Sequence, residues 1–289
     1  MTFINARSTE QAVSELAVRG EELLVLAGGT DVMVQYQRRE IRSSAWLNVR
    51  RIEELQRIDA STATGKPLRI GAMTSHRAIS RDTLVLRYAP ALAAACATVG
   101  GWQTQEAGTI GGNICNASPA ADLPPPLLVA DATVTLMSSH GTRTLLLSEF
   151  ILGRRSTARR SDELVTAVEL QPLPDGAGEV YLKVGPRRGM EVALVGLAVR
   201  LMFDEDGVVT DARVAVGSVA PAPFRAHEAE QALIGSRGDK SAIDEAGAAL
   251  SAAASPIDDA RAPAAYRRRV LSPLLARAVA QCYTQDTRR

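Results

Sequence analysis

Ala27-Gly28-Gly29-Thr30-Asp31 and Thr109-Ile110-Gly111-Gly112-Asn113 are the two stretches on which the reading of this sequence turns. Each follows an apolar or small-residue segment, and each carries two adjacent glycines. Consecutive glycines have no Cβ in the way, so their backbone N–H groups can converge on an anion. A diphosphate presents several oxygens and needs many donors. Two such loops in one chain can cradle one from two sides. Thr30 and Thr109 add hydroxyl donors, and Asn113 offers both a donor and an acceptor. Asp122, acceptor-only when ionised, suits a ribose hydroxyl. Neither loop follows a common mononucleotide pattern. Gly28-Gly29 lacks the G-x-G-x-x-G spacing, and no G-x-x-x-x-G-K-[ST] occurs. Taken singly, each glycine pair also reads as a tight strand-to-helix turn, and Asp122 as an N-cap.

Outward from the first loop, Leu23 to Leu26 is a short apolar run that predicts a buried strand. Before it, Ser8 with Gln11 makes a capping box, Ala12, Val13, Leu16 and Ala17 share a helical face, and Gly20 stops the helix. A helix is expected from Asp31 on, then a strand at Trp46 to Val49. Around the second loop, Leu68 to Ala72 predicts a strand, Ser75 an N-cap, and Pro90 to Val99 an Ala-rich helix closed by Gly100-Gly101. Gly108 to Asn113 reads as a glycine-rich turn. Asp122 is expected to cap a helix whose first turn holds Pro124-Pro125-Pro126, where prolines are tolerated. Thr133 to Met137 and Arg143 to Leu147 form a hairpin about His140-Gly141, and Leu164 to Leu170 is another strand. The run Pro172 to Gly178 marks a domain boundary. Beyond it, Ala193 to Phe203 and Ala212 to Val219 read as strands, the first ending at a turn around Asp204 to Gly207. Three helices follow, at about Arg225 to Ile234, Lys240 to Ala253 and Pro263 to Cys282.

The composition excludes several functions. The chain has 289 residues, 46% hydrophobic and 22% charged, with aromatics at only 4%. Those are values of a packed globule whose core is Ala, Val, Leu and Ile. A formal net charge of +1 draws neither nucleic acid nor membrane surface. The clusters Arg154-Arg155, Arg159-Arg160 and Arg267-Arg268-Arg269 read either as solvated faces or as anion or partner contacts. Cys96, Cys115 and Cys282 are far apart and form no C-x-x-C pair, so no usual iron–sulfur ligation and no disulfide framework is expected. No metal-ligating constellation is read. No secretory signal opens the chain and no apolar run is long enough to span a bilayer, so a cytoplasmic location is expected.

The combination of both glycine stretches with Ser118-Pro119 and Asp122 resembles the flavoprotein family of molybdenum hydroxylases, the FAD subunits of the xanthine dehydrogenase and carbon monoxide dehydrogenase type. The resemblance extends through Asp162-Glu163-Leu164-Val165-Thr166, Lys183 with Arg187, and the run from Ala215 to Pro223 with Arg225-Ala226. It implies an α+β fold: a two-subdomain FAD-binding region of the PCMH type, then a small C-terminal α+β domain with an antiparallel sheet and helices. The expected boundaries are 1–175 for the first, with subdomains of about 1–55 and 56–175, and 176–289 for the second. It implies that Val25, Leu26, Ala27, Gly28, Gly29, Thr30, Asp31 and Val32 run along the FAD pyrophosphate. Thr109, Ile110, Gly111, Gly112 and Asn113 form the second loop, and Asp122 sits near the ribityl or ribose. Val99 lines the flavin site, Leu164 and Val165 pack against the isoalloxazine, and Lys183 approaches the ring or its polar edge, where a cation favours the anionic reduced flavin.

The stretch Trp102-Gln103-Thr104-Gln105-Glu106-Ala107 departs from the Pro-Gln-Ile-Arg-like residues of many relatives. Trp102 is either packing or a shaper of the pocket. Some flavoproteins of related fold attach FAD through a His beside a glycine pair. Thr30 holds that place here, so FAD is expected to be non-covalent, and His76, His140 and His227 receive no chemistry. The resemblance implies an oxidoreductase subunit with no catalytic acid or base of its own. Its implied partners are a large subunit with a molybdenum cofactor and a small subunit with two [2Fe-2S] clusters, in a dimer of heterotrimers that delivers electrons to an external acceptor. Two other readings stay open: a self-sufficient FAD-dependent oxidase, and a non-catalytic nucleotide-binding scaffold.

Overall fold

A computed structural model describes residues 2–60, 67–187 and 190–285. It opens with β1 (Thr2–Asn5), α1 (Thr9–Arg19), β2 (Leu23–Leu26), α2 (Val32–Gln37) and β3 (Ala45–Asn48). Ser8 caps α1 by accepting from Gln11 N at 3.2 Å, while Gln11 Oε1 reaches back to Arg7 N at 2.9 Å. Ala12, Val13 and Leu16 form its buried stripe, and Gly20 ends it at φ +52°. The three strands are parallel, in the order β1-β3-β2. Parallel neighbours require crossovers, and α1 and α2 supply connections of that kind.

The next unit comprises β4 (Ile58–Ala60), β5 (Leu68–Gly71), α3 (His76–Arg81), α4 (Thr83–Tyr88), α5 (Pro90–Thr98), α6 (Trp102–Ala107), α7 (Ile110–Asn116), α8 (Pro124–Val129), β6 (Thr133–Ser138), β7 (Gly141–Leu146), α9 (Leu147–Phe150), β8 (Ile151–Gly153), β9 (Ser156–Thr157) and β10 (Leu164–Leu170). Its main sheet is antiparallel, in the order β4-β5-β10-β6-β7. The helices between β5 and β6 cover one face with Ile79, Leu92, Ile110, Ile114 and Leu127, all fully buried.

Beyond it lie β11 (Ala177–Val184), β12 (Val195–Phe203), β13 (Val209–Gly217), β14 (Phe224–Arg225), α10 (His227–Leu233), α11 (Lys240–Ala253), α12 (Ala264–Arg269) and α13 (Leu271–Gln285). Consecutive strands pair antiparallel in the order β11-β12-β13-β14. The central strand β12 is buried along almost its whole length. Both its faces are covered, which is why Val195 to Leu201 reads as a nearly continuous apolar run rather than an alternation. One face packs on α10, α11 and α13 through Val199, Val214, Leu250 and Leu275. The other places Tyr181, Ala198 and Ala215 in the core of the preceding unit.

Polar contacts strengthen that junction. Glu179 on β11 pairs with Arg200 on β12, both buried, and also accepts from Ala91 N at 3.0 Å. Helix α5 has no side-chain cap of its own. Glu179 therefore satisfies one of its orphan amides from across the junction. Arg225 reaches Asp131 at 2.9 Å on the far side.

Several local expectations fail. Gly108 to Asn113 is not an open turn, because α7 begins at Ile110 with Thr109 as its N-cap. Asp122 caps nothing; the residue before α8 is Leu123, and Pro124 stands at the helix start. The single helix expected from Pro263 to Cys282 divides at Val270. Pro273 accounts for the break. It has no N–H for the Arg269 carbonyl, and its ring would crowd that oxygen. Strands β1 and β11 and helix α6 have no counterpart in the sequence reading. β11 begins at Ala177-Gly178, inside the stretch taken as a boundary.

Candidate functional site

The two glycine stretches meet. The ideal Cβ of an alanine at position 28 would lie 2.0 Å from Ala107 O, at the end of α6. The first loop is therefore pressed against the chain that leads into the second, at a distance only glycine permits. Gly111 does the same on the other side, where a Cβ would lie 2.7 Å from Ala72 O at the end of β5.

The loops differ in what their amides do. In the second, Ile110 N donates to Thr74 O (3.1 Å), Gly111 N to Ala72 O (2.9 Å) and Asn113 N to Thr109 O (2.9 Å), and Gly112 N donates to Thr109 Oγ1 at 3.1 Å. The first two dock α7 onto the chain just beyond β5, the other two close its first turn on Thr109, and all four are spent. In the first, the N–H groups of Gly28, Gly29, Thr30, Asp31 and Val32 have no acceptor among the described residues. A diphosphate would thus meet main-chain donors from one side. From the other it would meet side-chain donors, the hydroxyl proton of Thr109 and the Nδ2 amide of Asn113, whereas the buried and unpartnered Asn113 Oδ1 is an acceptor that suits a ligand hydroxyl or N–H and not a phosphate oxygen.

A cavity of about 410 Å³ opens between the loops. That lies within the usual range for ligand pockets, ~300–1,000 Å³. Val25, Ala27, Gly28, Gly29, Thr30, Asp31, Val32, Val99, Thr109, Gly111, Gly112, Asn113, Leu164 and Val165 all line it. Leu164 and Val165 come from the start of β10, where the pairing with β6 is irregular just past Val165. Leu26 and Ile110 do not line it. Leu26 pairs with Asn48 in the parallel sheet, and Ile110 is core. A larger concavity, about 740 Å³, is walled by Arg7, Arg50, Arg51, Glu53, Glu54, Gln56 and Arg57. It is open and without an apolar wall, the character of a solvated surface.

Asp122 and Lys183 also stand off the cavity wall, and they hold each other. Lys183 Nζ donates to Asp122 Oδ2 and to Thr98 O, each at 2.9 Å, and to Glu191 O at 3.2 Å. Tyr181 Oη donates to Asp122 Oδ1 at 2.7 Å. Burial pushes the Asp122 carboxyl up, against the opposing pull of Lys183 and Tyr181. Burial and then Asp122 push the Tyr181 phenol well above its ordinary range. The cluster underlies Thr98-Val99, and so braces the cavity's edge.

The structure adds wall residues to which the sequence assigned no part. His76, at the start of α3, lines the cavity, is 3% exposed, and has a buried Nδ1 with no partner. Desolvation lowers it to about 4, so the imidazole is neutral at physiological pH. Thr104, Cys115, Asn116, Arg155, Thr157 and Arg159 also line the cavity. Burial raises Cys115 to about 11, with Arg159 opposing. The Arg154-Arg155 and Arg159-Arg160 doublets thus each send one arginine to the wall. Trp102 does not shape the cavity; it lies on α6, 62% exposed.

An anion cradle beside an apolar wall fits a dinucleotide with a flat ring system. Comparison with known proteins agrees. A sequence profile described as "FAD binding domain in molybdopterin dehydrogenase" matches residues 1–173, and one described as "CO dehydrogenase flavoprotein C-terminal domain" matches residues 180–282. The chain is 32% identical over 278 residues to the glyceraldehyde dehydrogenase medium chain of Sulfolobus acidocaldarius, covering 96% of each. It is 32% identical over 231 residues to a putative xanthine dehydrogenase FAD-binding subunit of Escherichia coli, covering 80% of this chain and 78% of that one. The structure of the carbon monoxide dehydrogenase of Hydrogenophaga pseudoflava, in a form lacking the Mo-pyranopterin moiety of its cofactor, contains a chain that superposes with a TM-score of 0.94 at 28% identity, over 99% of this chain and 98% of that one.

Proposed function

Because the chain belongs to the family of FAD-binding flavoprotein subunits of molybdenum hydroxylases, we propose that it holds FAD non-covalently in the cavity between its two glycine segments and relays electrons outward. They would come from [2Fe-2S] clusters on a small partner chain, fed by a molybdenum cofactor on a large one, and leave to an external acceptor. The carrying observation is the asymmetric cradle. The amides of Gly28 to Val32 have no acceptor among the described residues, and opposite them stand the Thr109 hydroxyl and the Asn113 Nδ2 amide, at the start of a helix whose first amides are spent. Residues 1–175 form the cofactor-binding unit in this reading. Residues 176–289 brace it through Tyr181, Lys183 and Glu179. A dimer of heterotrimers in the cytoplasm is the assembly proposed. Among the described residues no helix is long and apolar enough to cross a membrane.

The residues divide the work. The first loop would bind the diphosphate, with Arg155 and Arg159 adding positive charge at the wall. Val99, Leu164 and Val165 would exclude water from the flavin ring. Lys183 holds the Asp122 carboxylate and Thr98 O, and so fixes the backbone beside Val99. FAD, when bound, supplies the capacity to take electrons singly or in pairs. No acid or base of this chain is needed for that. Non-covalent binding is supported by Thr30, which stands beside the first glycine pair where an attachment histidine would be needed. The test is the absorbance spectrum of the purified chain before and after acid precipitation, with the supernatant assayed for FAD. A two-band flavin spectrum with FAD released intact is expected. Colourless protein that also fails to take up added FAD would refute the reading, and yellow precipitate would refute its non-covalent part.

A further inference from the structure

Asp31 opens α2 in helical backbone geometry, φ −103° and ψ −51°, yet makes no side-chain cap. Its carboxylate is taken instead by Asn116 Nδ2, 3.0 Å away at the far end of α7. Asn116 Oδ1 in turn accepts from Gln35 Nε2 at 3.0 Å and from an Arg155 guanidinium N–H at 2.8 Å. All four residues line the cavity. The two donors on Oδ1 settle which way the Asn116 amide points, and turn Nδ2 toward the carboxylate. The Arg155 backbone is itself anchored, its main-chain N–H donating to Ala117 O at 2.8 Å. The bonds form a clamp that joins the first glycine loop to the helix that starts at the second.

An aspartate at the start of a helix ordinarily turns its carboxylate back on the amides of its own first turn. Here several amides of that region have no other acceptor, and they are the donors a diphosphate requires. An untethered Asp31 would compete with an incoming anion twice, as a rival acceptor and as a like charge. We propose that Asn116 is a positioning residue for cofactor binding, holding the Asp31 carboxylate off the diphosphate cradle while Gln35 and Arg155 fix the orientation of its amide. This rests on the FAD reading above.

The experiment is titration of FAD into the full-length apoprotein, followed calorimetrically, for the wild type, Asn116→Ala, Asp31→Ala and the double variant. Asn116→Ala should bind about tenfold more weakly, with part of the loss recovered at high salt, where charge repulsion is screened. Adding Asp31→Ala should restore affinity to within about threefold of Asp31→Ala alone, a coupling that the double-mutant cycle reads directly. Removing a side chain that only supports the fold would not be rescued by a second deletion. Thermal melts of the apoproteins check folding, and Asn116→Ser carries the same expectation if Asn116→Ala is unstable. Unchanged affinity in Asn116→Ala overturns the inference. So does a double variant as weak as Asn116→Ala alone, since Asn116 would then act on the nucleotide by itself. A wild-type chain that binds no FAD would instead refute the underlying reading.

Discussion

Acid should destabilise this chain through His76. The side chain is buried on the cavity wall, and desolvation drops it from 6.5 to about 4. Below pH 6.5 the unfolded chain takes up a proton that the folded chain refuses, so stability rises with pH across this window. The contribution is fully present above pH 6.5 and lost as pH falls toward about 4. The whole drop corresponds to about 3 kcal/mol, and roughly 2 kcal/mol of it is gone at pH 5. For a chain of this size that is about 3 °C in melting temperature. The assay is thermal melting of the apoprotein at pH 7 and pH 5, with His76→Gln alongside, since Gln carries no charge at either pH. Apoprotein is used because bound cofactor would add its own stabilisation. Glu163 and Glu230, held low by Arg143 and Arg225 against the cost of burial, also lose stability toward acid. They do so in both proteins and cancel in the difference. Wild type should lose about 2 kcal/mol more than His76→Gln between the two pH values. Equal losses would refute the argument, and would mean that the imidazole charges in place or reaches water.

Gly28→Ala should give protein with a sharply reduced FAD-to-protein ratio and about 1–3 kcal/mol less stability, because its Cβ would lie 2.0 Å from Ala107 O. Absorbance at the flavin bands and a urea titration check both parts. Glu179→Gln should destabilise by about 3–5 kcal/mol, since it leaves the buried Arg200 without its countercharge. Loss of a urea midpoint shift of that size would show that Arg200 finds another partner. The thiols should be slow toward a disulfide reagent at pH 8 in the native chain. Burial raises Cys115 to about 11 and pushes Cys96 and Cys282 well above the ordinary thiol range, and the thiolate is the reactive form. All three should react in denaturant.

Much of the scaffold was legible in advance because its signals are local. Ser8, Ser75 and Gly20 act as caps where their residue types say they should. The apolar runs at Leu23, Leu68 and Leu164 are strands. The second glycine stretch misled for an equally local reason. Thr109-Ile110-Gly111-Gly112-Asn113 has the composition of a loop, and glycine is a poor helix former. What overrides propensity is the docking of the Ile110 and Gly111 amides on Thr74 and Ala72, together with the Thr109 cap. Strand β11 was missed because Ala177-Gly178 continues a turn-like run. Glycine suits position 178 since a Cβ there would meet Cys282 O at 2.3 Å.

Two glycine-paired segments, the strand or helix that each adjoins, and the suitability of the residues beside them for a dinucleotide can all be read from the chain alone. Those properties depend on neighbours a few positions apart. It takes the folded chain to show which loop keeps its amides free, that Gly28 rests on Ala107, that His76 faces the cavity, and that Asp122 answers Lys183 and Tyr181 rather than a helix end. Each of these is set by a partner many residues away. A hydrogen-bonding group takes the partner that folding places within about 3 Å, whatever its distance along the chain.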